Sequence, residues 1–231
     1  MLMDTTVLPK YKDFAEKNRM SWEKRVVRYE YGRGGETLHR GYYCPSLISD
    51  IVIGNQKRGN LLKRKTKKPA DYIFGFDEKD HLIMVKHYFS CDIWSLEMIY
   101  QEESEEIGVT VFSGEDTSFI LSRCVYDRDR IMEYDLFYDD GQDMRRDKNH
   151  KKRFSEERHE KYSYFPEKLV VDFSDFSSVT NLKKIPHEVF SFCLEGKKLT
   201  SYTIEQYEGE TRIPSVWDGR IWKVYETRYV K

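Results

Sequence analysis

Apolar and polar positions alternate with a period of two along most of the chain, the spacing that turns successive side chains to opposite faces of a sheet. It predicts strands over Tyr72–Phe76, Leu82–Phe89, Ile93–Tyr100, Ile107–Phe112, Ser118–Tyr126 and Ile131–Tyr138. Further strands follow over Leu169–Phe173, Val189–Leu194, Leu199–Tyr207 and Ile221–Val230. Short polar connections force neighbours to run antiparallel. Four stretches share one pattern: an aromatic residue or Leu, an acidic residue, a short polar turn, a basic residue, then an alternating run ending near a Tyr. They are Phe76-Asp77 to Tyr88, Tyr126-Asp127 to Tyr138, Leu194-Glu195 to Tyr207 and Trp217-Asp218 to Tyr229. Each predicts a hairpin. Asp218-Gly219 gives the strongest turn signal, because Gly reaches positive φ without steric cost. Their uneven spacing excludes a solenoid or propeller.

The first third of the chain departs from this rhythm. Tyr11, Phe14, Ala15 and Trp22 recur near the helical period, so a helix is expected from Pro9 to about Arg25, with Ser21 as the start of a separate element. Arg25–Tyr31 and Thr37–Tyr43 read as a hairpin around Gly32-Arg33-Gly34-Gly35, and Leu47–Ile53 is an apolar run. Residues 139–161 are dense in charge and nearly empty of aliphatics, which reads as a mobile insertion or a surface helix. The expected fold is mainly β (α+β): an antiparallel β-meander, strongly curved or barrel-like, with an N-terminal helix. Residues 1–231 are read as a single domain.

Aromatic residues make up 15% of the chain, with 17 Tyr, which favours strands over a helical bundle. Charged residues reach 34%, yet the net charge is only -1, so total charge gives no reason to expect DNA or a membrane as partner. Cys44, Cys91, Cys124 and Cys193 form no CxxC pair and sit in or beside apolar strand text, as buried, reduced thiols would. Met1-Leu2-Met3-Asp4 lacks the basic and apolar regions of a secretory leader, and no apolar run is long enough to span a bilayer. A cytoplasmic protein with no membrane partner is the expectation.

The chain carries no Walker loop, GxGxxG, HExxH, GxSxG or EF-hand pattern. No catalytic residue, metal site or cofactor is assigned. His81 and His87 would share a strand face but lie about 20 Å apart, too far to ligate one ion together. His159-Glu160 and His187 could serve as general bases only beside a nucleophile. Two acidic groups, Glu102, Glu103, Glu105 and Glu106, and Asp139 with Asp140, are candidate partner-binding residues that would steer a basic protein. Lys63, Arg64, Lys65, Lys67 and Lys68, near Tyr42, Tyr43 and Tyr72, are the alternative, a cationic groove for single-stranded nucleic acid. The near-zero net charge makes nucleic acid the less favoured partner.

Over Tyr72–Tyr138 and Val189–Val230 this Tyr-rich strand pattern with acidic corners resembles the immunity proteins of bacterial polymorphic toxin systems. It is also similar to the aromatic-Asp hairpin repeats of large toxin shells, without their regular spacing. The resemblance implies a protein-interaction module that binds and neutralises a toxin domain, with Tyr and Trp as anchors. A competing expectation is an enzyme or small-ligand binder with its pocket inside a curved sheet.

Overall fold

The computed structural model describes residues 8–35, 38–53, 56–63, 70–102, 104–114, 118–128, 130–139, 155–177, 187–196, 198–208 and 210–221. One helix, α1 (Leu8–Asn18), precedes thirteen strands. In chain order these are β1 (Arg28–Arg33), β2 (Asn60–Leu61), β3 (Tyr72–Phe76), β4 (Leu82–Tyr88), β5 (Trp94–Glu102), β6 (Glu105–Phe112) and β7 (Phe119–Asp127). They continue as β8 (Arg130–Asp139), β9 (Ser155–Tyr164), β10 (Lys168–Ser177), β11 (His187–Glu195), β12 (Lys198–Glu208) and β13 (Thr211–Arg220). All join one antiparallel sheet, and from β3 to β13 each strand lies beside its neighbour in sequence. The mainly β meander with an N-terminal helix expected from the alternation is present.

Three of the four patterned stretches are hairpins of one local design. The reversals after Phe76, Tyr126 and Leu194 each contain a residue at positive φ: Asp80, Arg128 and Gly196. Each hairpin also slips register at the patterned aromatic or Leu, between Gly75 and Phe76, Val125 and Tyr126, and Cys193 and Leu194. A turn closed by a left-handed residue and a bulge is a standard short hairpin solution. In the first, Asp77 Oδ1 accepts the N–H groups of Lys79 and His81, both at 2.9 Å. Bulges add right-handed twist to the strand that carries them. The repeated sequence pattern is thus a repeated instruction to curl.

The fourth stretch is a correction. Asp218-Gly219 lies inside β13, and Gly219 faces Tyr202 on β12. A Cβ on Gly219 would sit within 2.5 Å of the Tyr202 ring, so this Gly makes room for an aromatic neighbour rather than for a turn. Ile221–Val230 lies outside the described residues apart from Ile221 itself. The expected first hairpin is also absent. β1 pairs instead with β3 (Arg28 opposite Phe76, Gly32 opposite Tyr72) and with the short β2. Gly41–Tyr43 forms a tight helical turn rather than a strand. Gly41, at φ +51, is pressed so close to the Tyr72 ring that a Cβ would lie 2.8 Å from it. The helix expected to Arg25 ends at Asn18, and a separate turn over Trp22–Arg25 follows Ser21. The stretch 139–161, expected as a mobile insertion or a surface helix, runs from residue 155 onward into the interior strand β9.

The sheet is rolled. Gln56 Nε2 donates to the carbonyl of Arg220 on β13 at 3.1 Å, while Asn60 and Leu61, a few residues on, pair with β1 at the other end of the strand order. The chain can span only about 14 Å between Gln56 and Asn60. The end strands of a flat sheet of this size would lie about 58 Å apart. Residues 38–53 fill the inside of the roll. Of these, Leu47, Ile48 and Ile51 are buried among Tyr134, Tyr162, Phe190 and Phe192. On the outside, α1 and Trp22 cover a row of directly opposed residues, Met84, Met98, Val109, Leu121 and Phe137. Trp22 Nε1 also donates to the Ile83 carbonyl at 2.7 Å. No helix among the described residues is long and apolar enough to cross a membrane.

Candidate functional site

One row of the inner face runs through Phe74, Val85, Glu97, Thr110, Ile120, Tyr138 and Glu156, each directly opposite the next across seven strands. A second row passes through Tyr72, His87, Ser95 and Phe112. Between these rows and the first residues of the inner segment, Leu38, His39 and Arg40, lies a cavity of about 280 Å³. Period-two alternation puts all these side chains on one side, and the roll turns that side inward.

The cavity is bounded below by a buried ionic network. Arg40 Nε donates to Glu97 Oε1 at 2.8 Å, Nη1 to Glu106, and Nη2 to Ser122 Oγ at 3.0 Å. His39 Nε2 lies 3.2 Å from Glu97 Oε2, and its Nδ1 is 3.0 Å from Tyr134 Oη. The guanidinium fits because residue 108 is Gly: a Cβ there would lie 2.6 Å from Arg40 Nη2, and closer still to Glu97 and Ser122. Burial alone would raise the Glu97 pKa, but Arg40 and His39 outweigh it and hold the carboxyl at about 2. Burial likewise opposes the charge on Arg40, and the two carboxylates overcome it.

The side wall is aromatic. His87 stacks on Tyr72 at a centroid distance of 4.1 Å and tilts against Phe89 at 4.2 Å, and Phe89 lies 6.3 Å from Phe112. Burial depresses the His87 pKa to about 4, against a smaller opposing pull from Asp71. His87 is therefore uncharged at neutral pH. A His neutral in the fold but free to protonate when unfolded favours folding above pH 6.5, and that contribution is lost as pH falls through about 4. His87→Phe is expected to remove this loss, so that urea midpoints fall less across that window than in the unsubstituted protein.

Two further polar residues line the cavity, Thr110 and Glu156. Thr110 is 4% exposed, and its hydroxyl has no hydrogen-bond partner. A buried hydroxyl without a partner costs roughly 1–3 kcal/mol. Glu156 is exposed and has no ion-pair partner among the described residues.

A second buried carboxyl lies deeper. Glu160 accepts hydrogen bonds from Ser46 and Tyr162, tying β9 to the inner segment. Burial pushes its pKa up to about 7, with the two hydroxyls and Arg158 pulling the other way. On the outer face, Asp135, His159 and Ser174 lie directly opposite one another on β8, β9 and β10. Asp135 Oδ1 is 2.5 Å from His159 Nδ1. His159 has no hydrogen bond to Ser174, and the surrounding backbone N–H groups are committed to the sheet, so neither an activated hydroxyl nor an oxyanion pocket is assembled.

The residues singled out from sequence are dispersed. Glu102 is exposed, 3.5 Å from Lys10; Glu105 pairs with Arg123 at 2.7 Å. Glu106 turns inward to Arg40, and the Asp139 side chain is 1% exposed beside Lys12. Lys63 is exposed, whereas Arg58, five residues earlier, pairs with buried Asp50. Glu103, Asp140, Arg64, Lys65, Lys67 and Lys68 lie outside the described residues. Cys44 and Cys124 are buried, but Cys91 and Cys193 are exposed, against the expectation that all four are covered. Among the described residues no three His, Cys, Asp or Glu side chains are placed to hold a metal ion. The cavity residues Arg40, Glu97, Thr110 and Glu156 were not anticipated. The one signal for them is Glu97, a lone charge inside the apolar run Trp94–Tyr100.

No protein-family model matches the chain, and neither a curated protein nor a solved structure does.

Proposed function

We propose that the protein binds a small molecule in the cavity inside its rolled sheet. The observation that carries this reading is a 280 Å³ space inside the roll, walled by Tyr72, His87, Phe89 and Phe112 beside the buried Arg40–Glu97 pair. The interior of a sheet curled on itself is a common ligand site, and one dominated by apolar walls with a few polar groups suits a compact ligand. The volume is near the small end of the usual range of about 300–1,000 Å³. The test is a fragment screen by ligand-observed NMR on the unsubstituted protein and on Ser95→Phe, which places a ring where Ser95 lines the space. Fragments that bind the first and not the second are expected. Identical hits on both would overturn the reading.

A second reading, a protein-interaction module of the immunity-protein kind, draws support from Phe89 and Ile93, 53% and 57% exposed around the β4–β5 turn. Exposed aromatic and aliphatic groups of this sort anchor protein partners. On this reading, a partner captured from the native host is lost with Phe89→Asp and Ile93→Asp combined. Capture unaffected by both substitutions would count against this surface.

A further inference from the structure

Two neutral polar side chains stand side by side on the cavity wall, and they bear on what enters it. Resting on the small-molecule reading above, we infer that the ligand is uncharged and carries a hydrogen-bond donor beside an acceptor, as a carboxamide or lactam does, on a compact aromatic body. His87 and Ser95 lie directly opposite each other on β4 and β5, and both line the cavity. They are 9% and 7% exposed. Neither side chain hydrogen-bonds to any described residue, yet their polar atoms, unlike the Thr110 hydroxyl, are not sealed off.

A neutral imidazole offers one N–H and one bare nitrogen, and a hydroxyl both donates and accepts. The stack on Tyr72, with the two ring planes 9° apart, holds the His87 ring in place while leaving its edge unbonded. Opposed residues of neighbouring strands hold their Cβ atoms about 5 Å apart. A carboxamide, with oxygen and nitrogen on one carbon, suits that spacing. Its carbonyl accepts from the Ser95 hydroxyl, and its N–H donates to the bare nitrogen of His87. An ion has no such match. Arg40 is shared between Glu97 and Glu106, so the buried charges of the wall are spent on one another. An ionic ligand would lose hydration without gaining a buried counter-charge. Glu156 is exposed, where water weakens its pull on a cation. The rings of Phe89 and Phe112, 19° apart in plane, give the aromatic body its faces.

Four probes of similar shape test the inference by ligand-observed NMR titration. Benzamide, benzoate and benzamidine differ in charge, and acetophenone keeps the carbonyl without the N–H. Benzamide is expected to bind at least tenfold more tightly than the two ions and severalfold more tightly than acetophenone. Ser95→Ala and His87→Phe should each weaken benzamide severalfold with the fold intact by circular dichroism. His87→Phe should also erase the advantage of benzamide over acetophenone. Equal or tighter binding of benzoate or benzamidine would overturn the inference while leaving the cavity as a ligand site. So would benzamide binding that neither substitution changes, or no binding of benzamide when other fragments still depend on Ser95. If Ser95→Phe alters the binding of no fragment, the ligand reading itself fails, and the inference falls with it.

Discussion

Arg40→Ala is expected to lower the unfolding free energy by about 3–5 kcal/mol, read from urea unfolding, the usual cost of stranding a buried charge. Arg40 is 4% exposed and Glu97 3%, so losing the guanidinium leaves the Glu97 carboxylate buried without its main charge partner. The substitution removes three contacts at once, to Glu97, Glu106 and Ser122. Arg40→Lys recovers little, because an ammonium cannot reproduce a fork spread over three acceptors. The pH profile gives an independent check. With its folded pKa held at about 2 against the ordinary 4.5, Glu97 contributes stability above pH 4.5 that is lost as pH falls toward 2. That acid-side loss should flatten in Arg40→Ala. A cost under about 1 kcal/mol would be that of a solvated surface pair and would contradict the buried network.

Leu47→Ala should cost roughly 2–5 kcal/mol, the range for emptying a fully buried Leu site. Leu47 is 0% exposed, and it belongs to no strand or long helix. Its effect therefore comes from packing against the sheet's inner face rather than from any loss of local structure. Its backbone N–H donates to Tyr162 Oη at 3.1 Å, and Ser46 beside it bonds Glu160, so the segment is pinned polar group by polar group as well as packed. Ile93→Ala, at a site 57% exposed, is the control and should change stability by no more than about 0.5 kcal/mol. Similar costs at the two positions would mean that residues 38–53 lie loosely on the sheet.

Strands and most reversals were legible because alternation and acidic turns are local signals. The pattern at Phe76, Tyr126 and Leu194 even encodes a shared bulge, visible only once register is known. Trp217-Asp218 failed for a physical reason. Gly has two uses, positive φ and close approach, and Tyr202, seventeen residues upstream, decides which applies at Gly219. β9 was hidden because its charges are satisfied by distant elements: Arg158 by Ser49 and Asp175, His159 by Asp135, Glu160 by Ser46. Read alone, Ser155–Tyr164 is a solvated stretch; between β8 and β10 it is a wired interior strand. The cavity was illegible for the same reason. Its walls come from Leu38–Arg40 and from rows across strands far apart in sequence, and no local spacing announces them. Leu47–Ile53 was recognised as apolar, but a sheet's need for an inner filling shows only when its ends meet.

The rolled sheet is the claim on which the cavity, the buried network and the ligand all depend. Spin labels at Asn60→Cys on β2 and Arg220→Cys on β13, with exposed Cys91 and Cys193 changed to Ser, measure it directly by pulsed electron spin resonance. Cys44 and Cys124 are buried with raised thiol pKa values and should stay unlabelled. Chain reach through Gln56 places the two labelled Cα atoms under about 25 Å apart, and label arms broaden the distribution without shifting it far. A mean near the roughly 58 Å of an open thirteen-stranded sheet would contradict the roll.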